Sequence, residues 1–145
     1  MFTKETRTRT ILVVEDVYET RQGIEKLLQA DGYRVTLAQD ERGAIDSVSL
    51  KLPDLILVSL AGTPSEVVLT AQRIRESAAI DSQIPIVIFC IESLAEGEEV
   101  TIGRSIYVTR PDNFNQLRKL LVRLLNRDSS SIETEITMSA AELKL

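Results

Sequence analysis

Thr10-Ile11-Leu12-Val13-Val14-Glu15-Asp16 is the stretch from which the fold is read. It is an unbroken, largely β-branched apolar run, the pattern of a strand covered on both faces inside a parallel sheet. The run stops on two carboxylates, so this strand delivers an acidic loop at its carboxyl end. From Glu19 to Ala30, Ile24, Leu27 and Leu28 recur at helical spacing, and Gly32 follows where a C-terminal cap would sit. Tyr33, Val35 and Leu37 then alternate with polar residues and predict a second strand; Ala44, Ile45 and Val48 predict a shorter second helix.

The same alternation continues downstream. Pro53-Asp54 breaks the pattern before Leu55-Ile56-Leu57-Val58, a central strand ending at Ser59. Ala61-Gly62-Thr63-Pro64 reads as loop, and Val67, Val68, Ala71 and Ile74 as the inner face of a helix from about Ser65 to Glu76. Pro85 opens the strand Ile86-Val87-Ile88-Phe89-Cys90. The acidic segment Glu92 to Arg104, with Gly97 and Gly103, has weak helical periodicity and is expected to hold the fourth helix. Ile106-Tyr107-Val108 is a fifth strand. Leu117, Leu120, Leu121, Leu124 and Leu125 form the strongest amphipathic helix, with Asp112 or Asn113 as its cap. Five strands alternating with five helices predict an α/β fold, a parallel sheet covered by helices on both faces through right-handed crossovers. Residues 1–9 read as an N-terminal extension and 10–126 as the domain. Residues 127–145 read as the polar linker Arg127-Asp128-Ser129-Ser130-Ser131 and a tail, frayed or forming a short helix where Ser139 and Glu142 have capping-box spacing.

Composition removes several functions. A net charge of −5 and a pI near 4.9 oppose a nucleic-acid footprint, which needs a basic face to displace counterions from phosphates. With no histidine in 145 residues, Ser-His-Asp chemistry, His-ligated zinc and histidine phosphotransfer all fall away. The lone Cys90 cannot close an intramolecular disulfide. The apolar runs are too short to span a bilayer, and Met1 to Thr10 contain no apolar leader core. A cytoplasmic protein with no membrane partner is expected.

In an open parallel sheet, functional side chains gather at the carboxyl ends of the strands. Those ends carry Glu15 and Asp16, Ser59, Cys90, and Arg110-Pro111. With this set in place, the stretches Ile11 to Asp16, Pro53 to Leu60 and Thr109-Arg110-Pro111 resemble the three landmarks of a response-regulator receiver domain, over about four fifths of the chain. The resemblance implies a flavodoxin-like, doubly wound sheet of five parallel strands in the order 2-1-3-4-5. It also implies a pocket in which an acidic pair and a third-strand aspartate bind magnesium and a Thr or Ser and a Lys read the phosphate. Here the acidic pair persists as Glu15 and Asp16, and Tyr107 matches the family's switching aromatic. Ser59 replaces the acceptor aspartate, Cys90 the hydroxyl residue and Arg110 the lysine.

The family's three carboxylates and one lysine leave about −2 for a divalent cation to neutralise, whereas Glu15, Asp16 and Arg110 leave about −1. Arg110 is therefore expected to bridge the carboxylates in place of a metal. No cofactor is expected, and no metal beyond weak Mg2+ at Glu15 and Asp16. Ser59 cannot form an acyl phosphate, and no histidine activates its hydroxyl. Cys90 and Tyr107 also read simply as core, and Arg110 as a solvated loop residue. The expected function is a pseudo-receiver that is not an enzyme, an atypical, phosphorylation-independent interaction module in two-component or phosphorelay signalling. Its implied partners are a histidine kinase, a regulator or an output protein. A homodimer is expected through the fourth helix, fifth strand and fifth helix. Two alternatives stand beside it. One is a phosphorelay regulator with an unorthodox acceptor at Ser59, Asp54 or Asp16. The other is a flavodoxin-like domain binding a small ligand, opposed by the absence of a glycine-rich loop after the first strand and by the charge of Glu15-Asp16.

Overall fold

The computed structural model describes residues 8–81, 83–89, 99–103, 105–110 and 113–126. Its Cα positions group into two units, Met1–Asp112 and Asn113–Leu145. In the first, the Thr10 run becomes β1 (Thr10–Glu15), buried at every position. There follow α1 (Tyr18–Ala30), β2 (Arg34–Ala38), α2 (Glu41–Leu50), β3 (Leu55–Ser59), α3 (Pro64–Ser77), β4 (Ile86–Phe89), β5 (Glu99–Ile102) and β6 (Ile106–Thr109). They build one six-stranded sheet in the order β2-β1-β3-β4-β6-β5. The first five in that order pair in parallel.

The chain steps from β1 outward to β2, then crosses back past β1 to β3. With right-handed crossovers, that reversal puts α1 on one face and α2 and α3 on the other. Side chains sort accordingly. Leu12 and Val14, Ile56 and Val58, Ile86 and Ile88, and Ile106 and Val108 join Ala44, Val48, Val67, Ala71 and Ile74 of α2 and α3 in one buried cluster. The alternate residues Ile11, Val13, Leu55, Leu57 and Val87 are buried on the opposite face. Burial on both sides is why these strands lack the polar alternation of a half-exposed sheet.

The α/β, flavodoxin-like expectation holds, with one correction. Glu99–Ile102, expected within a fourth helix, is a strand antiparallel to β6, so the sheet has six strands and is mixed. Val100-Thr101-Ile102 is a β-branched run, and such residues lose side-chain freedom in a helix but fit a pleated edge. Ile102 pairs with Ile106 across residues 103–105, where Ser105 takes the left-handed conformation (φ 60) common in three-residue hairpin connections. Of the expected fourth helix, residues 90–98 and Arg104 lie outside the described residues, as does Cys90 at the expected end of the fourth strand.

Two helix ends have signals in the sequence. α3 starts with a capping box: Glu66 N–H donates to Thr63 Oγ1 (3.2 Å) and Thr63 N–H to Glu66 Oε1 (2.9 Å), with Pro64 in the first turn. Pro64, expected in the loop, is thus helical. α1 ends on the expected Gly32, at φ 95, with Tyr33 N–H donating to Leu28 O and Gly32 N–H to Gln29 O.

The second unit holds α4 (Phe114–Leu125). Asn113 is its cap, its side chain accepting from Gln116 N–H at 3.1 Å, and Leu117, Leu120, Leu121, Leu124 and Leu125 form its buried face. The alternative cap, Asp112, lies outside the described residues, as do residues 1–7 and 127–145 of the expected extension and tail. Among the described residues no helix is long and apolar enough to cross a membrane.

Candidate functional site

The carboxyl edge of the sheet carries a row of buried polar side chains. Glu15 and Ser59 are register partners at the ends of β1 and β3, one strand spacing apart (about 4.8 Å) and on the same face as Val13 and Leu57. Continuing across the sheet, Phe89 pairs with Thr109 at the ends of β4 and β6. Glu15, Ser59 and Thr109 are 3 %, 7 % and 5 % exposed, so their polar atoms sit where solvent hardly reaches. Asp16 is exposed just beyond β1, and Arg110 is half-buried just beyond β6. Four of the five expected pocket residues, Glu15, Asp16, Ser59 and Arg110, therefore stand at this edge, whereas Cys90 lies outside the described residues.

Glu15 Oε2 accepts from Val17 N–H at 2.9 Å. Its carboxylate thereby ties down the residue that precedes α1, a helix otherwise begun without a side-chain cap. Arg21, one turn into α1, is joined to the acidic loop: its Nη1 donates to the Glu15 carbonyl at 2.7 Å and its guanidinium lies 5.6 Å from the Tyr18 ring centre. Arg21 stands on the helix that starts directly after this loop. Sequence reading missed it because attention to helical periodicity favours the apolar positions. Thr109 was quoted within the landmark Thr109-Arg110-Pro111 but given no place in the pocket, although it ends an apolar strand as Ser59 does.

Tyr107 is 9 % exposed and stands beside Val87 in the register of β4 and β6, on the face opposite Val108, in keeping with its core reading. Asp54, weighed as an alternative phosphate acceptor, lies at the amino end of β3, roughly 16 Å from Ser59 at the rise of a strand. Its carboxylate accepts from Thr10 N–H at 2.8 Å and pairs with Arg9 at 3.8 Å, so it aligns β1 and β3 at the edge away from the pocket. The donor set does not suit a divalent cation either. One of its two carboxylates already serves a main-chain N–H, and the third ligand position carries a neutral hydroxyl where a hard cation calls for anionic oxygen. Among the described residues no group of three or more His, Cys, Asp or Glu side chains could hold a metal ion.

The sheet order, the crossovers and this carboxyl-edge row resemble those of response-regulator receiver domains. No family model matches the chain, but individual proteins do. The transcriptional regulatory protein ZraR of Escherichia coli K12 is 29 % identical over 127 residues, covering 86 % of this chain and 28 % of ZraR. KdpE of Staphylococcus aureus is 28 % identical over 142 residues, 93 % of this chain and 58 % of KdpE. The chain thus spans only about a quarter to three fifths of the length of these relatives. Among solved structures, the Vibrio cholerae chemotaxis protein CheY4 superposes with a TM-score of 0.57 at 20 % identity, covering 81 % of this chain and 99 % of CheY4. The receiver domain of a signal-transduction histidine kinase from Syntrophus aciditrophicus gives 0.61 at 19 % identity, covering 85 % and 96 %.

Proposed function

We propose that this domain is a pseudo-receiver, a signalling module that acts without a covalent phosphate through protein contacts on a fixed surface. The observation that supports this reading is Ser59. It ends β3, buried and in register with Glu15, at the position that matches the acceptor aspartate of the receivers this chain resembles. A hydroxyl there cannot form an acyl phosphate, and no histidine exists to make it a nucleophile. The remaining pocket residues, Asp16, Cys90 and Arg110, also depart from, or only partly keep, the set that would hold a metal and read a phosphate. Arg21 supplies the local positive charge against the acidic loop.

On this reading the domain is not an enzyme and works in the cytoplasm within two-component or phosphorelay signalling. Its partners are a histidine kinase, a regulator or an output protein. Nucleic acid is not a partner of this acidic domain itself, although its relatives are named transcriptional regulators. The test is chemical. Incubation with a small-molecule phosphodonor and Mg2+, followed by intact mass measurement, should leave the mass unchanged. An added phosphate mapped to Ser59 or Asp16 would overturn the proposal.

A further inference from the structure

Among the described residues, two non-glycine residues take left-handed backbone, Ala79 (φ 54) and Ser105 (φ 60). Such backbone crowds a side chain and persists only where its surroundings hold it. Both residues lie on segments gripped by one buried cation. Arg75, in the last turn of α3 and 1 % exposed, donates through Nη1 to Asp81 O (2.8 Å) and through Nη2 to Ile84 O (3.0 Å) and Ser105 O (3.4 Å). Its own carbonyl accepts from Ile80 N–H at 2.9 Å, so the loop that carries Ala79 is tied to Arg75 at main chain and side chain alike. Ser105, 30 residues further along the chain, is tied in a second way. Its carbonyl also accepts from Ile86 N–H at 2.9 Å, close in sequence to the Ile84 carbonyl that Arg75 holds.

We propose that Arg75 makes the loop that carries Ala79 and the turn at Ser105 one cooperative unit, so that the two left-handed turns open together. The reason is the guanidinium. A charge at this depth is tolerable only while its hydrogen bonds are made. Opening of the loop alone would take away the Asp81 and Ile84 carbonyls and leave the charge buried without them. Opening of the turn alone would remove Ser105 O from the guanidinium and from Ile86 N–H at one stroke. Either partial opening strips buried donors of acceptors, which costs more than a joint opening in which the arginine moves into water with both segments. Strain in one turn is therefore felt in the other, and a ligand that displaces one of them shifts the other. This coupling is independent of the chemistry at Ser59.

Hydrogen exchange of the full chain, read residue by residue, tests the coupling with variants at exposed Ala79. Ala79→Gly relieves the crowding there and Ala79→Val worsens it, since a β-branched residue fits this backbone least. Ala79→Gly should slow exchange about two- to fivefold at residues 102–106 as well as at Ile80 and Ile84, and Ala79→Val should speed both segments by at least that factor. Ser105→Gly should in turn slow Ile80 and Ile84. Gly32 and Tyr33, whose amides make the same pair of bonds after α1, should keep their rates. In an Arg75→Met background the effect of Ala79→Gly on residues 102–106 should vanish while its effect on Ile80 persists. If that background does not fold, the Ala79 and Ser105 variants decide alone. Ala79 variants that change only their own loop would overturn the proposal. So would a change of equal size at Gly32 and Tyr33, or a cross-effect that survives Arg75→Met.

Discussion

Ser59 concentrates the chemistry of the molecule in one atom exchange. A carboxylate at that place would stand beside buried Glu15, and two close anions with little solvent destabilise the fold until a cation joins them. Ser59→Asp should therefore lower unfolding free energy by about 2 kcal/mol at neutral pH without divalent ions. Mg2+ should restore part of the loss in Ser59→Asp and change the wild type less. Urea titrations with and without Mg2+ measure both, and equal Mg2+ responses would show that position 59 does not control the charge of the site. This residue was fully legible in the sequence, because an apolar run ending on a polar residue announces the carboxyl end of a central strand. Arg21 was not. Whether Arg21 reaches the acidic loop depends on where α1 begins and how far the side chain extends, and neither is written in periodicity.

At the scale of elements, α1 and α3 end in the same way on different residues. Ala79 N–H donates to Glu76 O and Ile80 N–H to Arg75 O, the bonds that Gly32 and Tyr33 make after α1. Both ends require left-handed backbone, φ 95 at Gly32 and φ 54 at Ala79. An alanine pays for this with crowding at Cβ, so Ala79→Gly should stabilise by about 0.5 to 1 kcal/mol after the added freedom of the unfolded chain is allowed for. A lower midpoint in urea would contradict that. Two residues past this end, the loop leads to the groups held by Arg75. Arg75→Met leaves three carbonyls without their charged donor and should cost about 3 kcal/mol or more. Amide exchange should speed most at residues 102–106, whose turn the guanidinium holds, and uniform acceleration along the chain would argue against that link. The hairpin itself was hidden because two glycines and several glutamates obscured the short β-branched run Val100-Thr101-Ile102. The arginine was hidden because a charged residue beside Ile74 reads as a helix surface. The Thr-x-x-Glu spacing of Thr63 and Glu66 is that of a capping box, although the sequence reading placed Thr63 and Pro64 in the loop and opened the helix near Ser65. The other surface link, Arg73 to Glu41 at 2.9 Å, joins α3 to α2 through a bidentate bond. The hydrogen bonds Arg73 donates to the Glu41 carboxylate raise the Arg73 pKa above its ordinary value, so the guanidinium stays charged at any pH the fold experiences.

Across the first unit, stability should grade from the middle of the sheet outward. β1 and β3 are buried at every position and bonded on both sides, whereas β5 is short, partly exposed and bonded on one. Opening that exposes the central strands must disrupt both apolar layers, while opening of β5 releases one hairpin. Hydrogen exchange should therefore be slowest in Ile11–Val14 and Leu55–Val58, intermediate in β4 and β6, and fastest in β5. A phosphorylated receiver would change this gradient through its pocket, since the marked strand end joins β4 and β6 in one parallel ladder. In a domain whose β3 ends on Ser59, adding phosphodonor and Mg2+ should leave every rate where it was. A shift confined to β4 and β6 on adding the donor would mean that the carboxyl-edge row still senses phosphate despite the lost aspartate.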